Sequence, residues 1–171
     1  MILRISQKLN TKINAGKLTE MPLNENPYAD WSCHLFTVDR TQYIILSNTL
    51  SLYSCVMYGR GITDECTFLT RAWGTIRDFT ADDGKQFIYR KFVAPSKGTV
   101  RFAKALNRSV TGSMNDLIYA AKLSLEDGTS PSDLGYGLNE TPLSALIGQE
   151  GQKYGHPKEV FSYLASSMGN E

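Results

Sequence analysis

The chain has 171 residues, 42% of them hydrophobic, 20% charged and 11% aromatic, with a formal net charge of +1. This balance fits one soluble globular domain with its own core, and excludes a disordered chain, a coiled coil or a scaffold dependent on metal or disulfide staples. No apolar run is long enough to cross a bilayer, and the first ten residues lack the apolar stretch and cleavage site of a signal peptide, so a cytoplasmic setting with no membrane contact is expected.

Met1 to Ile5 reads as a first strand. Residues 6–30, with Pro22 and Pro27, read as an irregular or partly helical connection. Residues 31–57 carry the clearest β pattern: WSCHLFTV, QYIILS and LSLYSCVMY, joined at Asp39-Arg40 and Asn48-Thr49, pairs that suit tight turns. Such short links force antiparallel pairing and predict a meander. Thr63 is placed to cap a helix of about 15 residues whose inner face is Cys66, Leu69, Trp73, Ile76 and Phe79. Residues 86–94 fit a strand or a short helix, and Thr99 to Lys104 reads as a strand.

From Asn107 or Ser109 onward, Val110, Met114, Leu117, Ile118, Ala121 and Leu125 trace the apolar stripe of a second long helix, closed by Gly128. Thr141-Pro142 and His156-Pro157 each set a proline where a helix can begin. The last helix would turn Val160, Phe161, Leu164, Ala165 and Met168 inward. The prediction is one α+β domain over residues 1–171, an antiparallel β meander with about four helices packed on it, residues 148–171 forming a C-terminal helical tail.

Charge is unevenly spread. Residues 84–115 carry seven basic side chains and no acid, whereas residues 116–171 carry three basic and eight acidic ones. Lys85, Arg90, Lys91, Lys97, Arg101 and Lys104 form a candidate basic patch interleaved with Phe87, Tyr89, Phe92 and Phe102. Those residue types can grip a phosphate backbone and stack bases, so nucleic acid is one partner class. The pI of 7.7 argues against it, and pairing with the acidic C-terminal part is the structural alternative.

Signatures of catalysis are missing. His34 and His156 are the only histidines; there is no H-x-x-x-H, paired-Cys or calcium-loop spacing, so neither a metal nor a cofactor is expected. No G-x-x-x-x-G-K-[ST], G-x-G-x-x-G or G-x-S-x-G occurs. Cys33, Cys55 and Cys66 read as reduced thiols; a Cys33–Cys55 bridge would require export.

Two polar strings stand out. Asn107-Arg108-Ser109-Val110-Thr111-Gly112-Ser113-Met114-Asn115-Asp116 opens the second long helix, and Leu138-Asn139-Glu140-Thr141-Pro142 follows a loop. Gly112 inside a helix costs about 1 kcal/mol relative to alanine, so either a neighbouring backbone or a ligand should approach there. Asn107, Arg108, Ser109, Ser113, Asn115, Asp116, Asn139, Glu140 and Thr141 are the candidate binding residues; capping and loop anchoring are their structural alternative. Arg108 with Asp116 or Glu140 could also serve as an anion binder with a general base.

Together with Asp30-Trp31-Ser32-Cys33-His34-Leu35-Phe36 and the F-A-K-x-x-N-R-S phrase at 102–109, these strings resemble the hallmarks of a small bacterial domain family of unknown function, over residues 1 to about 147. Thr111 departs from an apolar residue in that pattern. The resemblance implies a bacterial or mobile-element origin and a cytosolic setting, and no activity. The expected function is a non-catalytic interaction module that binds a protein partner through the 107–116/138–142 surface and the basic region. Single-stranded nucleic-acid binding and a metal-independent hydrolase or nuclease are the alternatives.

Overall fold

A computed structural model describes residues 1–146 and 154–167, with side chains described as far as Leu164. Five strands form one sheet: β1 (Ile2–Ile5), β2 (Asp30–Val38), β3 (Thr41–Asn48), β4 (Ser54–Tyr58) and β5 (Arg101–Ala103), in the order β4-β3-β2-β1-β5. The predicted meander is present as β2, β3 and β4, paired antiparallel. Its first turn works because Asp39 and Arg40 both adopt positive φ, 46° and 64°, as a two-residue hairpin link of this hand requires. The third strand starts at Ser54, later than predicted, because Asn48 folds residues 48–53 into a turn by accepting from the Ser51 amide and hydroxyl.

The sheet as a whole is mixed, which corrects the purely antiparallel expectation. β1 lies parallel to both β2 and β5. Residues 6–30 supply the long crossover that a parallel pair needs, and they contain a helix, α1 (Gln7–Ile13), capped by Ser6 and ended by Asn14 at φ 55°.

The helix count is also larger than expected. α2 (Glu65–Asp82) is capped by Asp64, not Thr63, through a 2.8 Å bond from the Thr67 amide. Its buried face is Phe68, Ala72, Ile76 and Phe79; Cys66 is exposed and Leu69 and Trp73 are half-buried, so the helix sits rotated from the predicted phase. α3 (Gln86–Ile88) opens a continuous helical stretch that runs through Gly98, resolving the ambiguous 86–94 segment as helical. α4 (Arg108–Glu126) follows the predicted stripe, with Met114, Leu117 and Ala121 buried and Asn107 as its cap. α5 (Pro131–Asn139) occupies what reads as a loop in sequence, and no helix starts at Thr141-Pro142. The cap-plus-proline signal belongs to Ser130-Pro131, masked by Gly135 and Gly137. Gly135 is required: a Cβ there would collide with the Phe79 ring and the Ser54 carbonyl. α6 (Pro157–Ser167) begins where His156-Pro157 predicts, with Phe161 and Leu164 buried; Met168 lies outside the described residues.

Because side chains alternate along a strand, the sheet has two covered faces. Leu3, Ile5, Trp31, Cys33, Ile44, Leu46, Cys55 and Met57 pack with α1, α2, the 89–93 turn and α6, where Tyr53 stacks on Phe161 at 4.2 Å. Phe36, Val38, Tyr43, Ile45 and Val56 face α4 and α5. The result is three layers, helix–sheet–helix.

Candidate functional site

The two polar strings meet different fates. Asn107 caps α4 by accepting from the Val110 amide at 3.0 Å, and Thr111 donates back to the Asn107 carbonyl. Arg108, Ser109, Asn115 and Asp116 are exposed, while Ser113 is turned inward and buried. At 3.6 residues per turn, Arg108, Gly112, Asn115, Asp116, Tyr119 and Leu123 fall on one outward arc of α4, opposite Met114, Leu117 and Ala121. Tyr119 is 67% exposed and Leu123 46%. No atom lies within 4 Å of where a Gly112 Cβ would stand, so no internal packing accounts for that glycine.

In the second string, Leu138 and Asn139 face inward. Asn139 is 1% exposed, and its amide clamps the main chain of β4: it accepts from the Ser54 N–H at 2.7 Å and donates to the Ser54 carbonyl at 2.9 Å. Since β4 is a sheet edge, Asn139 supplies there the donor and acceptor a neighbouring strand would offer. Thr141 bonds the Gly137 carbonyl. Glu140 is exposed and pairs with Lys158 at 3.2 Å, and its carbonyl contacts His156 Nδ1 at 2.8 Å.

Glu140 thereby joins a polar cluster that sequence reasoning missed. Asp83 accepts from the Tyr53 hydroxyl at 2.8 Å and from Lys85 at 2.6 Å, with Lys158 at 3.6 Å. Burial alone would raise the Asp83 carboxyl, but the hydrogen bonds from Lys85 and Tyr53 and the two lysine charges outweigh it and hold the group below the usual carboxylate range. The same contacts push the Tyr53 hydroxyl far upward, burial first and the Asp83 carboxylate second. This cluster ties the end of α2 to α5 and α6; its members come from four distant segments, so no local motif announces it.

Among the described residues, Arg108 makes no ion pair. Glu140 is taken by Lys158, and Asp116 lies eight residues along the same helix, about 12 Å of axial rise from Arg108. Neither carboxylate forms an ion pair with Arg108 among the described residues.

The six basic-patch residues meet different surroundings. Lys85 is buried in its pair with Asp83, and Lys97 is half-buried and bonded to the Tyr89 hydroxyl. Arg101 lies on β5, and Lys104 sits 3.8 Å from Glu20. Arg90 and Lys91 remain exposed beside Phe87, with the Lys91 ammonium over both the Phe87 and Phe92 rings. Cys33 and Cys55 are buried free thiols, pushed up by burial, and Cys66 is free at the surface. Among the described residues, no cluster of three His, Cys, Asp or Glu side chains could hold a metal ion, and no helix is long and apolar enough to cross a membrane.

A three-layer α+β domain with a mixed five-stranded sheet, bearing a polar, partly aromatic outward helix face, is the class these features define. The chain belongs to the family described as "Domain of unknown function (DUF6933)", which matches residues 2–160. No curated protein and no solved structure matches it.

Proposed function

We propose that this domain is a non-catalytic interaction module that binds a protein partner through the outward face of α4. The observation that carries the reading is the Arg108, Gly112, Asn115, Asp116, Tyr119, Leu123 arc, on which two large apolar side chains stand exposed about two and three turns beyond a glycine unexplained by internal packing. Arginine and tyrosine are the residue types that concentrate binding energy at protein interfaces, and an open glycine lets a partner backbone approach a helix closely. The 138–142 string supports that surface from behind: Leu138 packs in the same apolar cluster as Met114, and Asn139 fixes α5 on the edge of β4. In co-purification from cells of the source organism, Arg108→Glu and Tyr119→Ala, each with unchanged thermal stability, should lose proteins that the unmodified chain retains. Retention of every partner by both folded variants would overturn the assignment.

A second reading rests on Phe87, 68% exposed with the Lys91 ammonium over its ring and Arg90 exposed one turn on, where a base could stack in single-stranded nucleic acid. It requires oligonucleotide affinity that falls steeply with salt and is lost in Phe87→Ala; a flat salt response removes it.

A further inference from the structure

Beside the α4 arc, a groove of about 750 Å³ runs between α1, the far half of β2 and α4. Its lining includes Gln7, Lys8, His34, Thr37, Asn115 and Lys122. Ser6, Thr11 and Gln42 also line it, and their side-chain oxygens are engaged: Ser6 accepts from the Leu9 and Leu35 amides, Thr11 donates to the Gln7 carbonyl, and Gln42 accepts from Lys12. By contrast, Lys8, His34, Asn115 and Lys122 form no hydrogen bond or ion pair with any described residue, although His34 and Lys122 are half-buried. No carboxylate lines the groove.

Two lysines, a histidine and an asparagine thus line the groove from three separate elements, and none of the four has an acceptor among the described residues. We propose that this groove is an oxyanion site for a small ligand bearing phosphate or carboxylate groups, held by Lys8 from α1, Lys122 and Asn115 from α4, and His34 from the sheet. The ammonium groups supply charge-assisted hydrogen bonds, stronger than neutral ones, and the imidazole and carboxamide supply directional N–H donors. The volume falls within the range of small-molecule sites, about 300–1,000 Å³. His34 is the natural reporter, because burial lowers its proton affinity and an anion in the groove would raise it.

The groove borders the partner surface and shares Asn115 with it, so the test uses His34 as reporter and Lys8 and Lys122 as variants, none of them among the arc residues named above. The experiment follows the His34 ring resonances by NMR in the full chain near neutral pH, titrating inorganic phosphate, citrate, and chloride at matched ionic strength. Phosphate or citrate should move the ring resonances saturably, and a Lys8→Glu/Lys122→Glu double variant should weaken that response at least about tenfold. The phosphate and citrate arms show which oxyanion the groove takes. Resonances that move no more than with chloride, or that respond equally in the folded double variant, would overturn the site. If the double variant does not fold, Lys8→Gln/Lys122→Gln takes its place under the same comparison.

Discussion

Three polar residues alternate along one face of β2, and they are treated very differently. Asp30, at one end, is fully buried and forms a bidentate pair with Arg4, both bonds at 2.8 Å. The Arg4 guanidinium also donates to the carbonyls of Met21, Pro22 and Lys104, so all five of its donors are used. Ser32, two residues on, shares a 2.9 Å hydroxyl contact with Thr49. His34, two further, lines the groove and bonds to no described residue. Polar groups that the fold saturates hold the fold; polar groups that it positions and leaves without partners are the ones offered to a ligand. The same contrast separates Asn139, locked onto β4, from Asn115, which belongs to an equally unusual string and faces outward.

The contrast can be broken most forcefully at its saturated end. Asp30→Ala should cost about 3–5 kcal/mol in denaturant unfolding, because it strands a buried guanidinium; a loss under about 1 kcal/mol would mean the pair is not structural. Asn139→Ala should cost about 2 kcal/mol by leaving the Ser54 N–H and carbonyl unpaired in the interior, and hydrogen exchange at the Ser54 amide should accelerate. At the unsaturated end, Lys8→Gln/Lys122→Gln should change stability by no more than about 0.5 kcal/mol, as surface substitutions without structural partners do. A larger loss would show that these side chains support the fold.

The smallest effect concerns pH. Burial holds the His34 imidazole below its ordinary value, so the unfolded chain takes up this proton first as the solution is acidified. This contribution to stability is therefore complete above the unfolded value of about 6.5 and declines as pH falls through it. Comparing thermal stability at mildly acidic and mildly alkaline pH, His34→Gln should show a shallower acid-side decline than the unmodified chain. An identical decline in both would place the titrating group elsewhere.

Much of the architecture is legible in the sequence. The β2–β4 meander, the α4 stripe with its Asn107 cap and the start of α6 all rest on local signals: alternation, helical periodicity and capping. What escapes is non-local. The insertion of β1 between β2 and β5 depends on pairing across the chain, and nothing within Ile2–Ile5 says which neighbours it takes. α5 is hidden because Gly135 and Gly137 lower its apparent helical preference, although Gly135 is dictated by the closeness of Phe79 and Ser54. The candidate site is legible as composition and not as geometry. Asn107 to Asp116 announces itself, but the inward turn of Ser113 and Asn139 follows from packing phase, and the groove that Lys8, His34 and Lys122 line joins residues more than twenty positions apart.

The most direct test of partner binding uses proximity at the open glycine. A photo-reactive side chain placed at Gly112, where nothing stands within 4 Å of a Cβ, is compared with one at Arg77, exposed on α2 across the sheet. After irradiation in cells of the source organism, the Gly112 probe should yield a discrete protein adduct that the Arg77 probe does not. Identical adducts from both positions, or none from Gly112, would contradict the assignment of α4 as the binding face.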